Sequence, residues 1–481
     1  MAYFGSVHNE FRIPEILSIA DILNINITIL EEQIKVSPFV VVGLSCDSDA
    51  QRIAERSVTL KAFLEVWGEA ATYDHLQEEV KSFANANRDL IEIISPKSFK
   101  FVVEAYGRKL TKAQQVEKMD RFKFLNFSGQ IAMKDPQNTF WILEDIGEHA
   151  PPEVLPKKIY FTREVGLGRR DLIDKYTLKR RKYLGTTSMD AELSLISANQ
   201  ARVRAGSLMV DPFVGTGSFL VACAHFGAVT VGGDIDIRVL RGKTEDGETK
   251  NINSNFQQYE LQPFLLDLIR LDHSTNNLWK NTPLFDAIVT DPPYGVRAGA
   301  KKVGLKKQSL KRLENDQLPE GFVPHITQTV AYSVPEVMAD LLDFAARNLV
   351  VGGYLVYWLP TTNDYKPSDI PTHPCLELIA NSEQPMSTKW RRRLITVKKT
   401  IPFDHKQHSK ELVWPEINVD VAHANYAMKR MNDPNRMDRP LQGSSVTTAA
   451  TATLPIDTQA ANGLEGQEEE NVIRKKQKLD Q

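Results

Sequence analysis

Asp291-Pro292-Pro293-Tyr294 is the stretch of this sequence most suited to chemistry. A primary amine conjugated to a purine ring shares its lone pair with the ring and is a weak nucleophile. A carboxylate and a backbone carbonyl set side by side would each take one amino hydrogen and turn the lone pair toward an electrophile. The Asp291 carboxylate and the Pro292 carbonyl form such a pair. Pro292 and Pro293 restrict the backbone that carries it, and the Tyr294 ring offers a surface on which an extruded base stacks. A proline-rich turn that merely ends a strand has the same composition, so its surroundings decide between the two readings.

A second candidate precedes it. Asp211-Pro212-Phe213-Val214-Gly215-Thr216-Gly217-Ser218 runs from a short apolar strand into an apolar helix, Phe219 to Phe226. Gly215 and Gly217 let backbone pass close to a ligand above a helix N-terminus, where amide groups are free. The third glycine of a dinucleotide cradle is absent, which favours a different adenosyl ligand over a pyrophosphate. The next strand ends in Asp234 and Asp236, where such folds place a carboxylate on ribose hydroxyls, and the third is followed by Asp272, within reach of an adenine amino group. Each acid alone reads as a turn residue. Together with Asp211, Pro212 and Thr216 they outline a site for S-adenosyl-L-methionine, whose sulfonium loses its charge on methyl transfer and so suits a nearby carboxylate.

These residues require a sheet to hold them. Strands are predicted at Leu208–Phe213, Val229–Asp234, Phe264–Leu271, Phe285–Thr290, Leu349–Leu359 and Leu394–Lys398, alternating with helices. One helix carries Val337, Met338, Leu341, Leu342, Ala345 and Leu349 on a single face. This is the pattern of an α/β doubly wound, Rossmann-like sheet, and DPPY follows its fourth strand. Ahead of it, residues 1–155 read as a smaller α+β region, with a helix from Ile13 to Leu23 and strands at Phe39–Leu44, Phe63–Trp67, Phe99–Tyr106 and Phe140–Glu144. The proline-rich joint APPEVLP ends it. Residues 156–190 read as linker and pre-sheet motif, 191–402 as the sheet domain, 403–431 as a peripheral segment and 432–481 as a disordered tail.

The 481 residues exceed one compact core, and 42% hydrophobic with 25% charged residues is the composition of a globular protein. No apolar run is long enough for a membrane span and the N-terminus lacks a signal-peptide pattern, so a cytoplasmic protein is expected. Cys46, Cys223 and Cys375 show no metal-binding spacing, and no metal is expected. A net charge of −2 excludes indiscriminate coating of nucleic acid and leaves RNA contacts to local patches. Lys157–Lys182, Arg297–Arg312 and Arg391–Arg393 are the basic segments. Each alone reads as a solvated face, but Arg297–Arg312 follows DPPY directly. Arg474–Lys478 reads as solvated charge or an import signal.

The segments RRKYLGTTSMDAELSLISANQARV, DPFVGTGSFLVACAHFGA, GGDID, DAIVTDPPYGVR, LVYWLP and HPCLELIANSEQ resemble the catalytic subunits of eukaryotic tRNA guanine-10 N2-methyltransferases, from about Tyr160 to Thr400. The resemblance implies a class I methyltransferase domain behind an N-terminal region containing a THUMP domain that engages tRNA. It implies that Thr187 and Ser188 lie near the methionine part of the cofactor and that Asp291, Pro292 and Tyr294 form the catalytic loop. It further implies a heterodimer with a small zinc-binding activator protein. Ser218 stands where many relatives have glycine. Two rivals remain open from the residues alone: an adenine N6-methyltransferase of DNA or RNA, and a non-catalytic RNA-binding subunit.

Overall fold

The computed structural model describes residues 1–30, 37–151, 153–245, 247–275, 278–279, 282–294, 301–304, 329–387 and 390–407. Most of Arg297–Arg312, most of the peripheral segment and the whole tail fall outside the described residues. All described residues lie within one compact unit, Met1–Ala427.

The N-terminal sheet has six strands: β1 (Ala2–Phe4), β2 (Phe39–Val40), β3 (Leu60–Ala70), β4 (Phe99–Tyr106), β5 (Asn138–Asp145) and β6 (Lys158–Leu167), in the order β2-β1-β3-β6-β5-β4. Helices α1 (Arg12–Leu23), α2 (Asp47–Ala54) and α3 (Tyr73–Ala86) pack on it. The sequence reading put β6 in a linker, which the structure corrects. Pairing of β6 with β3 on one side and β5 on the other makes it an interior strand, and the proline-rich joint before it is the turn of the β5–β6 antiparallel pair.

The second sheet has seven strands: β7 (Leu208–Asp211), β8 (Val229–Asp234), β9 (Leu265–Arg270), β10 (Phe285–Thr290), β11 (Leu349–Thr362), β12 (Leu376–Pro385) and β13 (Trp390–Lys399). Their order is β9-β8-β7-β10-β11-β13-β12, with β7 to β11 parallel and the last two pairings antiparallel. Helices α4 (Ala191–Gln200), α5 (Ser218–His225), α6 (Ile252–Gln258) and α7 (Val334–Asn348) cover it. The face predicted on α7 is buried, Val337, Met338, Leu341, Leu342 and Ala345 all being nearly inaccessible. Ligands in such sheets bind beyond the carboxyl ends of the strands, beside the point where strand order reverses. Here that point lies between β7 and β10, whose ends carry the glycine turn and DPPY.

The two sheets are joined by a buried polar interface. All ten residues of α4 are buried, five of them polar, so this helix has no solvent face and little hydrophobic periodicity to read. Its Asn199 donates to Glu15 of α1 at 2.8 Å. Glu15, fully buried, also accepts from Ser57 Oγ at 2.7 Å and from the backbone N–H of Val58 and Thr59 at 3.0 Å each. Arg56 reaches across to Asn199 Oδ1 at 2.8 Å and to the Val203 carbonyl. Phe11, from the N-terminal region, belongs to the apolar core of the second domain, its ring centroid 5.9 Å from that of Trp358. Removing the Glu15 carboxylate would strand several buried donors at about 1–3 kcal/mol each before relaxation. Glu15→Ala is therefore expected to lower unfolding stability by about 3 kcal/mol, read as a fall in the urea midpoint. A change within about 0.5 kcal/mol would contradict this interface.

Candidate active site

Backbone geometry builds the first half of the site. β7 ends at Asp211, and the chain turns through Gly215 (φ 49°) and Gly217 (φ 80°) into α5. Both angles fall in the left-handed region that side chains resist. A Cβ at Gly215 would meet only the Phe213 carbonyl oxygen, 4.0 Å away, so the space above this glycine is clear of protein. Asp234, at the end of β8, splints the turn: its Oδ2 accepts from Gly215 N–H at 3.1 Å and its Oδ1 from Asp236 N–H at 2.8 Å.

The pre-sheet motif folds over this turn. Ser188 Oγ lies 2.6 Å from Thr216 Oγ1 and accepts from Gly185 N–H, while Thr187 is exposed beside it. Two residues that sequence reasoning missed lock the arrangement. Asn255 of α6 accepts from Tyr183 N–H at 2.8 Å and donates to the carbonyls of Tyr183 and Thr216 at 3.0 and 3.4 Å. Buried Arg181 donates to Ser218 Oγ and to the Tyr176 carbonyl. Nothing local in the sequence marks Asn255, because its partners lie about forty and seventy residues away.

The outer acids are already engaged. Asp236 caps a short helix and holds Arg238. Asp272 accepts from Ser274 N–H and Oγ through one oxygen and from Val303 N–H, at 2.6 Å, through the other. It thus ties residues 301–303 to the sheet edge, a task the sequence did not suggest. His273, beside it, is buried between Phe213 and Phe344, and burial pushes it down to about 4, so it is neutral near pH 7.

DPPY completes the site from β10. Thr290 Oγ1 donates to Asp211 Oδ1 at 2.6 Å, fixing the end of β10 against the end of β7. Burial pushes Asp291 up to about 6, opposed by a hydrogen bond from Tyr294 and by the charge of Arg392. Pro292 is buried and Pro293 half-buried. The expected open stacking ring at Tyr294 is not what the structure displays. Its hydroxyl donates to Asp291 Oδ1 and its half-buried ring packs against the large apolar core. A base that stacked on Tyr294 would first have to draw it off the carboxylate.

The donor set fits a cationic adenosyl ligand. Asp211 is fully buried and pushed up to about 7, chiefly by burial and further by Asp234 and Asp291. A sulfonium between such carboxylates would relieve that repulsion. Among the described residues no group of three or more His, Cys, Asp or Glu is placed to hold a metal, and no helix is long and apolar enough to cross a membrane.

Each basic segment has described residues that are paired within the protein. Arg163 binds Glu65 and Asp47, Arg169 binds Asp171, and Arg170 reaches Glu192. Arg391 and Arg393 both hold Glu383, and Lys302, one of four described residues in Arg297–Arg312, holds Glu336. A count of like charges along the sequence does not see these partners.

Residues 1–170 match the family described as Tmrp11 THUMP N-terminal domain, and residues 179–329 the one described as RMKL-like, methyltransferase domain. The chain is 41% identical over 437 residues to tRNA (guanine(10)-N(2))-methyltransferase TRMT11 of Dictyostelium discoideum, covering 86% of this chain and 84% of that protein. It is 36% identical over 419 residues to the Homo sapiens protein of the same name, covering 84% and 89%. The chain belongs to the TRMT11 family. In this TRMT11-family chain the N-terminal match extends past β6, in keeping with the six-stranded sheet. The crystal structure of TrmN from Thermus thermophilus is 14% identical with a TM-score of 0.35, covering 71% of this chain and 84% of that one, and adds nothing to the sheet order above.

Asn255→Ala would release the pre-sheet motif from the glycine turn. It is expected to weaken S-adenosylmethionine binding about tenfold, the cost of about one net hydrogen bond, measured by calorimetry on the full chain. Unaltered affinity would mean that the motif does not shape the cofactor cradle.

Proposed function

We infer that this chain is an S-adenosylmethionine-dependent tRNA methyltransferase that methylates the N2 amino group of guanosine at position 10. Membership of the family carries the substrate, and the placement of DPPY beside the glycine turn carries the chemistry. The cofactor supplies a methyl group made electrophilic by a sulfonium. Gly215, Thr216 and Gly217 would receive it, with Ser188 and Thr187 at its methionine end and Asp211, Pro212, Asp234, Asp236 and Asp272 along its border.

Asp291 and the Pro292 carbonyl orient the guanine amine by accepting its two hydrogens, which leaves the nitrogen lone pair facing the methyl carbon. As the nitrogen bonds to the methyl carbon and the carbon–sulfur bond breaks to leave a neutral thioether, the nitrogen becomes cationic and gives up a proton. A carboxylate raised to about 6 can take that proton and return it to solvent near neutral pH. Tyr294 leaves Asp291 as the base enters and then lies against the base. Pro293 keeps the loop narrow.

The intact acceptor pair argues against a non-catalytic subunit, and the family name argues against an adenine substrate. Asp291→Ala is expected to lower turnover by at least about a hundredfold with cofactor affinity within about twofold, because the lost contact acts on the amine. Digestion of methylated transcripts should yield N2-methylguanosine. N6-methyladenosine in its place, or full turnover by the variant, would overturn the reading.

A small zinc-binding activator is the proposed partner. β9 lies at the edge of the described sheet with Leu266 63% exposed, and beside it a cavity of about 350 Å³ is lined by Ile237, Leu240, Leu265 and Leu268 together with Arg241, Asn253, Asp267 and Arg270. An unpaired edge with an exposed apolar side chain invites a covering partner. Leu266→Asp is expected to reduce co-purification of the co-expressed zinc protein at least about tenfold, as a charge on an apolar contact costs more than about 1.4 kcal/mol. Retained co-purification would move the partner to another face. We place the protein in the cytoplasm, where tRNA is abundant.

A further inference from the structure

Arg392 differs from the arginines on either side of it. Arg391 and Arg393 face Glu383, but Arg392 points to the opposite face of β13. Its guanidinium lies over the Trp358 ring at 4.3 Å, and its Nε donates to Gln384 Oε1 at 2.6 Å. Among the described residues the carboxylate paired with it is that of Asp291, with Nη1 4.0 Å from Oδ2. The side chain is only 13% exposed, which disfavours a surface contact for an RNA phosphate. A planar cation held by an aromatic face and a side-chain amide has little freedom, so its remaining N–H groups are aimed rather than mobile.

Resting on the reading of Asp291 as the amine acceptor, we infer that Arg392 is a positioning residue that keeps Asp291 ionised and oriented through substrate entry. Tyr294 serves the same oxygen pair while the site is closed, but a guanine that displaces it removes one of two stabilising partners. Arg392 comes from a different strand and stays. Its Nη1 lies 4.0 Å from Asp291 Oδ2 and it also reaches the Tyr294 side chain, whose hydroxyl rests on Oδ1, the oxygen left to the incoming amine.

The charged and titratable groups around Asp291 are few. Tyr294, on its own loop, is held neutral far above the ordinary range by burial. Asp211, at the end of β7, is itself raised by the charge of Asp291, and Arg392 stabilises the Asp291 carboxylate from β13. His8 of the N-terminal region feels the charge of Arg392, and burial keeps it below the usual imidazole range and hence neutral at pH 7. Asp291 must be charged to accept, burial places its titration near 6, and activity falls as pH drops through that value. Without the cation the carboxyl would titrate higher.

The test is the pH dependence of kcat/KM for a tRNA transcript with the full-length chain. Arg392→Met is expected to move the acid limb upward by about one pH unit, within the range an opposite charge at this distance produces. KM for tRNA should change less than about twofold, since no phosphate contact is lost. Arg392→Lys, which keeps charge and stem, should restore part of the shift and serves if the methionine variant does not fold. Infrared titration of the cofactor-free chain provides a second readout. The carboxyl band abolished by Asp291→Asn should titrate higher in Arg392→Met than in the parent. An unmoved acid limb, or a raised KM with weakened salt dependence, would overturn the inference and make Arg392 a structural or phosphate-binding residue. Full turnover by Asp291→Ala would instead remove the reading beneath it, and that outcome is separately visible.

Discussion

Two loops that must act on a single methyl group leave this sheet from different strands, and the hydrogen bond from Thr290 Oγ1 to Asp211 Oδ1 fixes the distance between them. Asp211 has no access to water, and neighbouring carboxylates at the ends of β8 and β10 make its charge costlier. Thr290 and the Phe213 N–H are the groups that make the buried carboxylate tolerable. The glycine turn and DPPY are thus coupled through one atom pair at the centre of the parallel sheet, where backbone pairing already leaves little freedom. The left-handed glycines, the splint from Asp234 and the cover from Ser188 all refine a spacing set at that point.

A site lined by carboxylates and closed over one of them poses an electrostatic problem that its ligands solve. Without a cation the acids raise one another's proton affinity, and the tyrosine hydroxyl and an arginine from another strand bear part of that load. A positively charged cofactor and a hydrogen-donating amine are the complements of such a lining. Charge in the lining, more than cavity shape, explains why the same edge of the sheet can receive both reactants.

Much of this was legible in the residues. Parallel strands buried on both faces read as apolar runs, and those at β7, β8, β10 and β11 stood out for that reason. Glycines and prolines at strand ends marked the two loops. What escaped detection depended on distant partners. β6 follows a proline-rich turn and looked like a linker, although two strands flank it. β12 is an edge strand with mixed exposure and no alternation to read. α4, buried on every side, carries no amphipathic signature. The closed pose of Tyr294 is local but leaves no pattern in residue types, the contact of Arg392 with Asp291 joins positions about a hundred residues apart, and Arg391–Arg393 read as a solvated face because Glu383 is not adjacent in the sequence.

The burial of Phe11 against Trp358 has a consequence for how such a chain can change over time. The front half supplies part of the hydrophobic interior of the back half, and its Glu15 answers a polar helix that solvent never touches. Recombination that grafted a foreign RNA-recognition segment onto this catalytic half would leave Ala191–Gln200 with unanswered amides and a hole beneath Trp358. Architectures sharing this junction are therefore expected to be inherited whole, with novelty confined to surface loops and to the outer edges of the two sheets.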